Sequence, residues 1–352
     1  MIPALRAQFG FDGAQAGLLT TAIFLTHALM QIPGGRLADL IGPVRVMLVA
    51  LGWVAAGNLG ISMAGSYGAL LFWKTFTGFG TGACFAAGAR YTVASFSGPA
   101  LHLAQGVYGG SILLGSGFVI FAIPQLLGAV GWSGAFLTCA GVSAAALLFW
   151  IVKTPRATPA AMPSGAFRGM IASGELWLLG VVQMASFGLV VVVGSWITTL
   201  LKNKFGMDLK TAGLVGSLVL LLGIFSRPAG GWLVHRFSIG TVVRSALLLN
   251  AVACWSLAVT ESRALTFAAI IALGLGCGLP YAGVFNRAAA LFPGRAGAAM
   301  GFVNMVGIAM ILAGAPAVGY LADWTGHFRA SFFALGVFAA MAAAASLRIR
   351  TR

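Results

Sequence analysis

Long apolar blocks alternate with short polar segments along the chain, and this pattern predicts membrane-spanning helices. A helix needs about 20 mostly apolar residues to cross the hydrocarbon core of a bilayer. Eleven blocks meet this requirement. They cover roughly residues 14–34, 46–64, 68–93, 104–127, 132–152, 174–200, 211–234, 241–260, 264–291, 297–321 and 330–347. The pattern therefore predicts an all-α polytopic membrane protein with about eleven spans.

The longest polar break lies between the fifth and sixth blocks, over residues 153–173, and contains Pro155, Pro159 and Pro163. Because proline interrupts helices, we expect a linker there. It divides the chain into an N-terminal transmembrane half, 1–152, with five spans and a C-terminal half, 174–352, with six.

Composition strengthens the membrane interpretation. Hydrophobic residues make up 60% of the chain and charged residues 8%, against about 45–50% and about 25% in soluble domains. So few charges could not cover a soluble fold, which argues against a cytosolic enzyme. No nucleotide-binding, hydrolase or metal-ligand motif accompanies these blocks, so we predict no enzymatic activity, no cofactor and no bound metal.

The net charge of +15 would suggest nucleic acid in a soluble protein, but here most basic residues lie between the apolar blocks. If the 35–45 loop is placed inside, twelve Lys and Arg residues fall on the inner side and six on the outer side. This bias predicts that the protein lies in the cell inner (plasma) membrane, with its C-terminus and linker on the cytoplasmic side. We therefore expect the lipid bilayer, and no nucleic acid, as a partner.

A shift of 196 residues reveals an internal repeat. It places residues 9–18 on 205–214, with Asp12 on Asp208, and it also aligns glycines at 34, 35, 78, 80 and 82 with glycines at 230, 231, 274, 276 and 278. The constant offset indicates two homologous halves. Because the second half has an additional span before the matched region, we expect that a first helix is missing from this chain.

Two parallel repeats joined by an intracellular linker resemble the major facilitator superfamily. The stretch 35–45, GRLADLIGPVR, resembles that superfamily's motif between its second and third helices, G-x-L-a-D-r-x-G-r-r. Residues 231–236 are a degenerate copy, in which His235 stands where Asp39 stands. Lys74 and the glycines at 78, 80 and 82 resemble the fourth-helix pattern, with Lys in place of the usual Arg.

A narrower resemblance links the chain to nitrate/nitrite porters. Residues 226–233, SRPAGGWL, are similar to the eighth helix of that group, whose arginine faces the substrate. The resemblance implies this role for Arg227. Ser186-Phe187-Gly188 and Gly301-x-x-Asn304-x-x-Gly307 also resemble the group. The porters' second arginine is absent: the position that matches Arg227 at the 196-residue offset is Gln31.

Arg227 lies about sixteen residues into its block, and no Asp or Glu lies deep within any span. An intramembrane charge is costly and is by default a functional hypothesis. A guanidinium without a carboxylate partner can take an anionic substrate, because its planar fork matches carboxylate or nitrate oxygens. The alternative is that Arg227 reaches the interface or caps helix carbonyls.

Three further residues are candidates for the substrate site. Gln31 could offer amide donors from the opposite half, and Asn304 lies on a glycine-rich helix; either could instead form an interhelical hydrogen bond. Phe187 is a candidate for lining a cavity. The same holds for Tyr108, Trp196 and Tyr281, although such aromatics more often serve packing.

His27 and Lys74 are candidates for coupling. His27 is the only histidine within a predicted span and could carry a proton near neutral pH; a neutral, hydrogen-bonded core histidine is the alternative. Lys74 could attract anions or take part in coupling, or it could serve helix packing.

The motif around Asp39 is interpreted as an inner gate. Its carboxylate could lie at a helix N-terminus or pair with Arg90 or another basic residue, and a solvated turn is the alternative. The gating set is Gly35, Asp39, Gly42, Arg45, Arg90, Gly231, His235 and Arg236. Because His235 offers no carboxylate, the second gate should be weaker.

These features predict a monomeric secondary transporter that moves a small anion by alternating access, with nitrate or nitrite as candidates and symport with a proton as the coupling hypothesis. Three alternatives remain open. The substrate could be a small organic carboxylate, the protein could be a non-transporting sensor or partner subunit, or the chain could be a truncated, inactive fragment.

Overall fold

The computed structural model describes Leu5 and residues 8–153 and 167–349, and it is helical throughout this part of the chain. Most of the predicted linker, residues 154–166, lies outside the described residues. The helices are α1 Gly13–Ile41, α2 Pro43–Ser62, α3 Tyr67–Ser95, α4 Gly98–Lys153, α5 Phe167–Ile171, α6 Gly174–Gln183, α7 Leu189–Phe205, α8 Leu209–Leu221, α9 Gly223–Arg236, α10 Ile239–Val259, α11 Arg263–Gly276, α12 Tyr281–Leu291, α13 Ala296–Thr325 and α14 Arg329–Ala345.

Short non-α segments join some of these helices. Residues Met184–Gly188 form a π-helical turn between α6 and α7, and Pro293–Arg295 and Ser346–Arg348 are 3₁₀ turns. Within α4, Gly131 has φ of 69° and interrupts the helix. This break lies between the predicted blocks 104–127 and 132–152, so the sequence pattern separated the two segments correctly.

Repeat-related aspartates start the corresponding helices. Asp12 caps α1 by accepting from the amide of Gln15 at 2.8 Å, and the Gln15 side chain accepts from the Asp12 amide at 3.0 Å. Asp208 caps α8 in the same way, accepting from the Thr211 amide at 3.0 Å. Hydrogen bonds from Thr211 also hold the pKa of exposed Asp208 below its ordinary value. The polar match in the repeat therefore has a physical cause, which is helix capping.

Eight helical segments in the described residues are long and apolar enough to cross a membrane. They are Pro43–Ser62, Leu126–Lys153, Gly174–Phe205, Lys210–Arg236, Ile239–Val259, Arg263–Leu291, Pro293–Thr325 and Arg329–Arg348. The predicted blocks 14–34, 68–93 and 104–127 are helical but are not among the eight. In the first two, Thr, His, Gln and Lys side chains and many glycines dilute the apolar content. The count of eleven stays a prediction.

The chain forms two compact units, each built from several stretches of sequence. The first comprises Met1–Tyr91, Phe118–Gly165 and Phe292–Phe302, and the second comprises Thr92–Gly117, Ala166–Leu291 and Val303–Arg352. The first part of α4 thus belongs with the second unit, and the first residues of α13 belong with the first. The division into halves at 153–173 rests on the sequence repeat and stays a prediction.

Each unit has its own apolar core. In the first, one cluster gathers Phe11, Ile61, Leu70 and Phe136, and another joins α1, α2 and α3 through small side chains such as Ala38 and Ala83. In the second, a large cluster connects α7, α10, α11 and α14. These rigid frames hold the polar side chains described next.

Candidate functional site

Arg227 lies in α9 and is buried, with 3% of its surface exposed. Its Nη1 donates a hydrogen bond to the carbonyl oxygen of Gly109 at 2.6 Å. Its Cζ lies 4.4 Å from the ring centroid of Tyr281 and 5.2 Å from that of Phe187. The guanidinium is therefore held between two aromatic rings, which is a cation–π arrangement.

Glycines in α4 make this arrangement possible. A side chain at Gly106 would collide with the Arg227 backbone, and one at Gly109 would collide with the Tyr281 ring. Without side chains at these two positions, the first part of α4 lies directly against α9 and α12. The Gly109 carbonyl can then accept from the Arg227 guanidinium.

The charge of Arg227 has no carboxylate partner in the described part of the chain. The ion pairs there join Arg90 to Asp39, Lys204 to Glu261 and Arg287 to Glu175. Its Nε is buried and has no hydrogen-bond partner among the described residues. A buried cation with an unused N–H is costly, and an anion with planar oxygens would satisfy both its charge and its donor.

Two amides beside this region were missed by the sequence analysis. Gln105 Oε1 accepts from the Thr92 hydroxyl at 2.6 Å, and the Gln105 side chain approaches the Tyr281 hydroxyl. Gln183 is also buried and lies one residue before the π-helical turn. Each is a lone amide within an apolar block, and that was the signal available in the sequence.

The π-helical turn carries Phe187 at its fourth residue, and Ser186 within it donates to the Val182 carbonyl at 2.7 Å. Single π-helical turns occur frequently at functional sites because they reorient one side chain. Here the turn presents Phe187 to Arg227. Asn304, the other predicted residue of this unit, accepts from Gln183 at 3.4 Å, which is the interhelical alternative considered for it.

Gln31 lies in the first unit and is fully buried. Its Nε2 is 2.8 Å from His27 Nε2, and His27 Nδ1 is 2.9 Å from the Thr81 hydroxyl, which donates to the Gly78 carbonyl at 3.0 Å. With the Gln31 amide as donor, His27 is neutral and carries its proton on Nδ1. The structure therefore brings Gln31 and His27 together. Arg227 belongs to the second unit.

Lys74 lies in α3 of the first unit and is half-buried. Its Nζ is 4.9 Å from the ring centroid of Phe136. This contact is a packing interaction of the kind considered for it, and the coupling role of Lys74 stays a prediction.

Asp39 makes both contacts that the sequence suggested for it, one with a helix N-terminus and one with Arg90, and its gating role stays a prediction. Its Oδ1 accepts from Arg90 Nε and from the Gly297 amide, each at 2.9 Å, and its Oδ2 accepts from the Ala298 amide at 3.0 Å. The two amides belong to the first turn of α13, so the carboxylate caps that helix. Burial raises the pKa of the Asp39 carboxyl, and the two amides and Arg90 offset this only in part.

The other residues of the gating set lie around two helix crossings. A side chain at Gly35 would collide with Gly297, and one at Gly231 would collide with the His102 carbonyl. Gly42 has φ of 93°, which favours glycine at the turn from α1 to α2. Arg45 and His235 are exposed, and Arg236 lies over the Trp232 ring, with its Cζ 4.7 Å from the centroid.

The described chain thus combines several helices that are long and apolar enough to cross a membrane with a helix-capping carboxylate and a buried arginine. The family model of the major facilitator superfamily matches residues 1–263 and 176–352, and the chain belongs to this superfamily. The resemblance drawn from the motifs is thereby confirmed.

Two relatives are described as nitrate transporters. "Probable nitrate transporter NarT" of Staphylococcus haemolyticus is 24% identical over 97% of this chain and 89% of its own length. "Probable nitrate/nitrite antiporter NarK1" of Thermus thermophilus is 24% identical over 96% of this chain and 83% of its own length. Among solved structures, the E. coli fucose:proton symporter FucP has a TM-score of 0.79 at 14% identity, covering 99% of this chain and 94% of that one. This last likeness concerns the fold alone.

Proposed function

We propose that the protein transports a small anion, with nitrate or nitrite as the leading candidates, and that Arg227 binds it. The observation that carries the proposal is a buried guanidinium with a free Nε, no carboxylate partner in the described residues and two aromatic faces around it. In a low-dielectric setting such a cation attracts anions strongly and rejects cations. The similarity to the two nitrate transporters supports nitrate or nitrite over other anions.

The remaining features of the transporter belong to the same proposal. Eleven crossings in the plasma membrane, with the linker and the C-terminus in the cytoplasm, fit the positive-charge bias. Gln31 and Asn304 would contact the anion through their amide side chains during alternating access. The Asp39 cluster would hold the inner side closed. We expect a monomer, with proton symport through His27 as the coupling hypothesis.

The test is uptake into proteoliposomes of a labelled panel comprising nitrate, nitrite, small mono- and dicarboxylates, sugars and amines. Arg227→Gln is measured beside wild type. Arg263→Gln is the matched control, because Arg263 is exposed and donates to a backbone carbonyl, that of Phe205 at 3.1 Å. We expect uptake of one inorganic anion by the wild type. In Arg227→Gln this uptake should be reduced at least about 30-fold, since truncating a buried charged contact costs about 2–5 kcal/mol.

The same panel separates the alternatives. Carboxylate uptake that depends on Arg227 would identify an organic-anion porter, for which the planar guanidinium is equally suited. Anion binding without flux would indicate a sensor or partner subunit. Uptake of a neutral or cationic solute, or uptake that survives Arg227→Gln, would contradict the proposal.

A further inference from the structure

The Asp39 cluster has a repeat-related counterpart in the second unit, and its chemistry is different. The 196-residue offset carries Asp39 to His235, Arg90 to Asn286, and Ala298 to His102. In the first unit these positions form a charged cap on α13. In the second they contain two imidazoles and an amide.

In the structure two of the counterparts are hydrogen-bonded to each other, and the third lies on the helix packed against them. Asn286 Nδ2 lies 2.9 Å from His102 Nδ1, and His102 is near enough to His235 for the two to interact electrostatically. A side chain at Gly231 would collide with the His102 carbonyl. The start of α4 therefore crosses the end of α9 as closely as α13 crosses α1 in the first unit.

The contact with Asn286 favours a neutral His102 ring. With the Asn286 amide donating to His102 Nδ1, the ring carries its single proton on Nε2. Burial lowers the pKa of His102, which precedes the predicted span 104–127, and nearby His235 lowers it further. A second proton would place a cation near the N-terminus of α4, where the helix dipole disfavours positive charge.

The other charged groups on the packed helices do not compensate for that charge. Arg236, next to His235 on α9, lies over the Trp232 ring. Arg287, next to Asn286 on α12, pairs with Glu175 at 2.8 Å. The buried Asn286 Oδ1 is unpartnered and could accept from a protonated His102 only if the amide turned over.

We propose that His102, His235 and Asn286 form a proton-sensitive inner gate, which is closed when the His102 imidazole is neutral and loosens when the cytoplasmic side acidifies. The proposal rests on the proposed gating role of the Asp39 cluster and does not depend on the identity of the transported anion. By linkage, the state that binds more protons gains population as the pH falls. Because the pKa of His102 is lowered in the closed arrangement, the response begins as the pH falls below the ordinary histidine value of about 6.5 and grows at lower pH.

Hydrogen exchange followed by mass spectrometry in lipid nanodiscs tests this without substrate. Labelling times are scaled to the intrinsic exchange rate at pH 7.5 and at pH 5.5. In wild type we expect protection at the start of α4, residues 98–105, to fall on the order of tenfold at the lower pH. Protection at residues 296–302, beside Asp39, should stay unchanged and serves as the internal reference.

Variants assign the effect to the two histidines. His102→Gln should remove most of the pH response. His235→Gln changes an exposed side chain and should reduce the response, and the double variant should remove all of it. His235→Asp restores the carboxylate of the repeat and should raise protection at both pH values. His327→Gln, at another exposed histidine, should behave as wild type.

Equal wild-type protection at both pH values would overturn the proposal, and so would a pH response that persists in the double variant. Because no flux is measured, these outcomes are independent of the transport panel. Failure of the anion assignment would appear there as uptake that is indifferent to Arg227.

Discussion

Positions 31 and 227 are repeat mates, yet the chain fills them with different chemistry. Gln31 is neutral, and its amide nitrogen is engaged by His27 at 2.8 Å. Arg227 is charged, and its Nε has no partner in the described residues. Tyr281 and Phe85 are also repeat mates at the 196-residue offset, but Tyr281 lies against Arg227 itself, whereas Phe85 lies near His27.

The two halves share the residues on which helix packing depends, but they differ in the charge of corresponding polar side chains. Apolar and glycine positions must match in both halves, since close helix packing depends on them. A polar position within the bundle is not constrained in this way. One half can therefore carry the charge that we propose binds the anion, while the other carries a hydrogen-bond chain through a histidine.

The largest effect is expected when the side chains at positions 31 and 227 are exchanged. We expect Gln31→Arg combined with Arg227→Gln to remain inactive, with anion uptake at least about 30-fold below wild type. Position 31 lacks the Gly109 carbonyl and the two aromatic faces that hold the guanidinium. Proteoliposome uptake measures this, with Gln31→Arg alone as the control for folding. Restored uptake in the exchanged variant would show that the two positions are equivalent.

A smaller effect is expected at the hydrogen-bond chain of the first half. His27→Gln should flatten the pH dependence of uptake, which a coupled proton can change by up to about tenfold per pH unit. Uptake is measured from pH 5.5 to 8, and Thr81→Val is the companion variant because it removes the oxygen that faces His27 Nδ1 at 2.9 Å. An unaltered pH profile in His27→Gln would contradict a coupling role for His27 and leave it a packing role.

The smallest effect concerns the ring beside Arg227. Phe187→Leu keeps an apolar side chain but removes one cation–π contact, which is typically worth about 0.5–2 kcal/mol. We expect the KM for the anion to rise about 2- to 30-fold with little change in kcat. Phe333→Leu, at a half-exposed ring elsewhere in the same unit, is the matched control. Equal KM values for Phe187→Leu and wild type would remove Phe187 from the site.

Much of the fold was accessible from the sequence. The blocks 241–260 and 330–347 correspond closely to α10 and α14. For α10 the reason is visible in the sequence, because polar Ser238 and Thr260 flank the apolar run and cap the helix. The break at Gly131 was also visible as a gap between two blocks. Blocks rich in Thr and Gly were harder to assign as spans, because these residues pack against neighbouring helices but lower the mean hydropathy of the block.

The site was accessible only in part. Arg227 and Phe187 could be named, since an intramembrane charge and a motif match are local signals. The contact of Arg227 with Gly109 joins positions 118 residues apart, and the neighbours Gln105 and Gln183 depend on similar long-range packing. Helical periodicity contains no information about which distant faces meet, so these partners required the structure.

The central claim is that the Arg227 guanidinium binds the transported anion, and direct binding tests it most simply. Purified protein in detergent is titrated with nitrate and nitrite, and the midpoint of thermal unfolding is recorded for wild type, Arg227→Gln and Arg263→Gln. The account predicts a concentration-dependent rise in Tm for wild type and Arg263→Gln and no rise for Arg227→Gln. A rise of equal size in Arg227→Gln would contradict it.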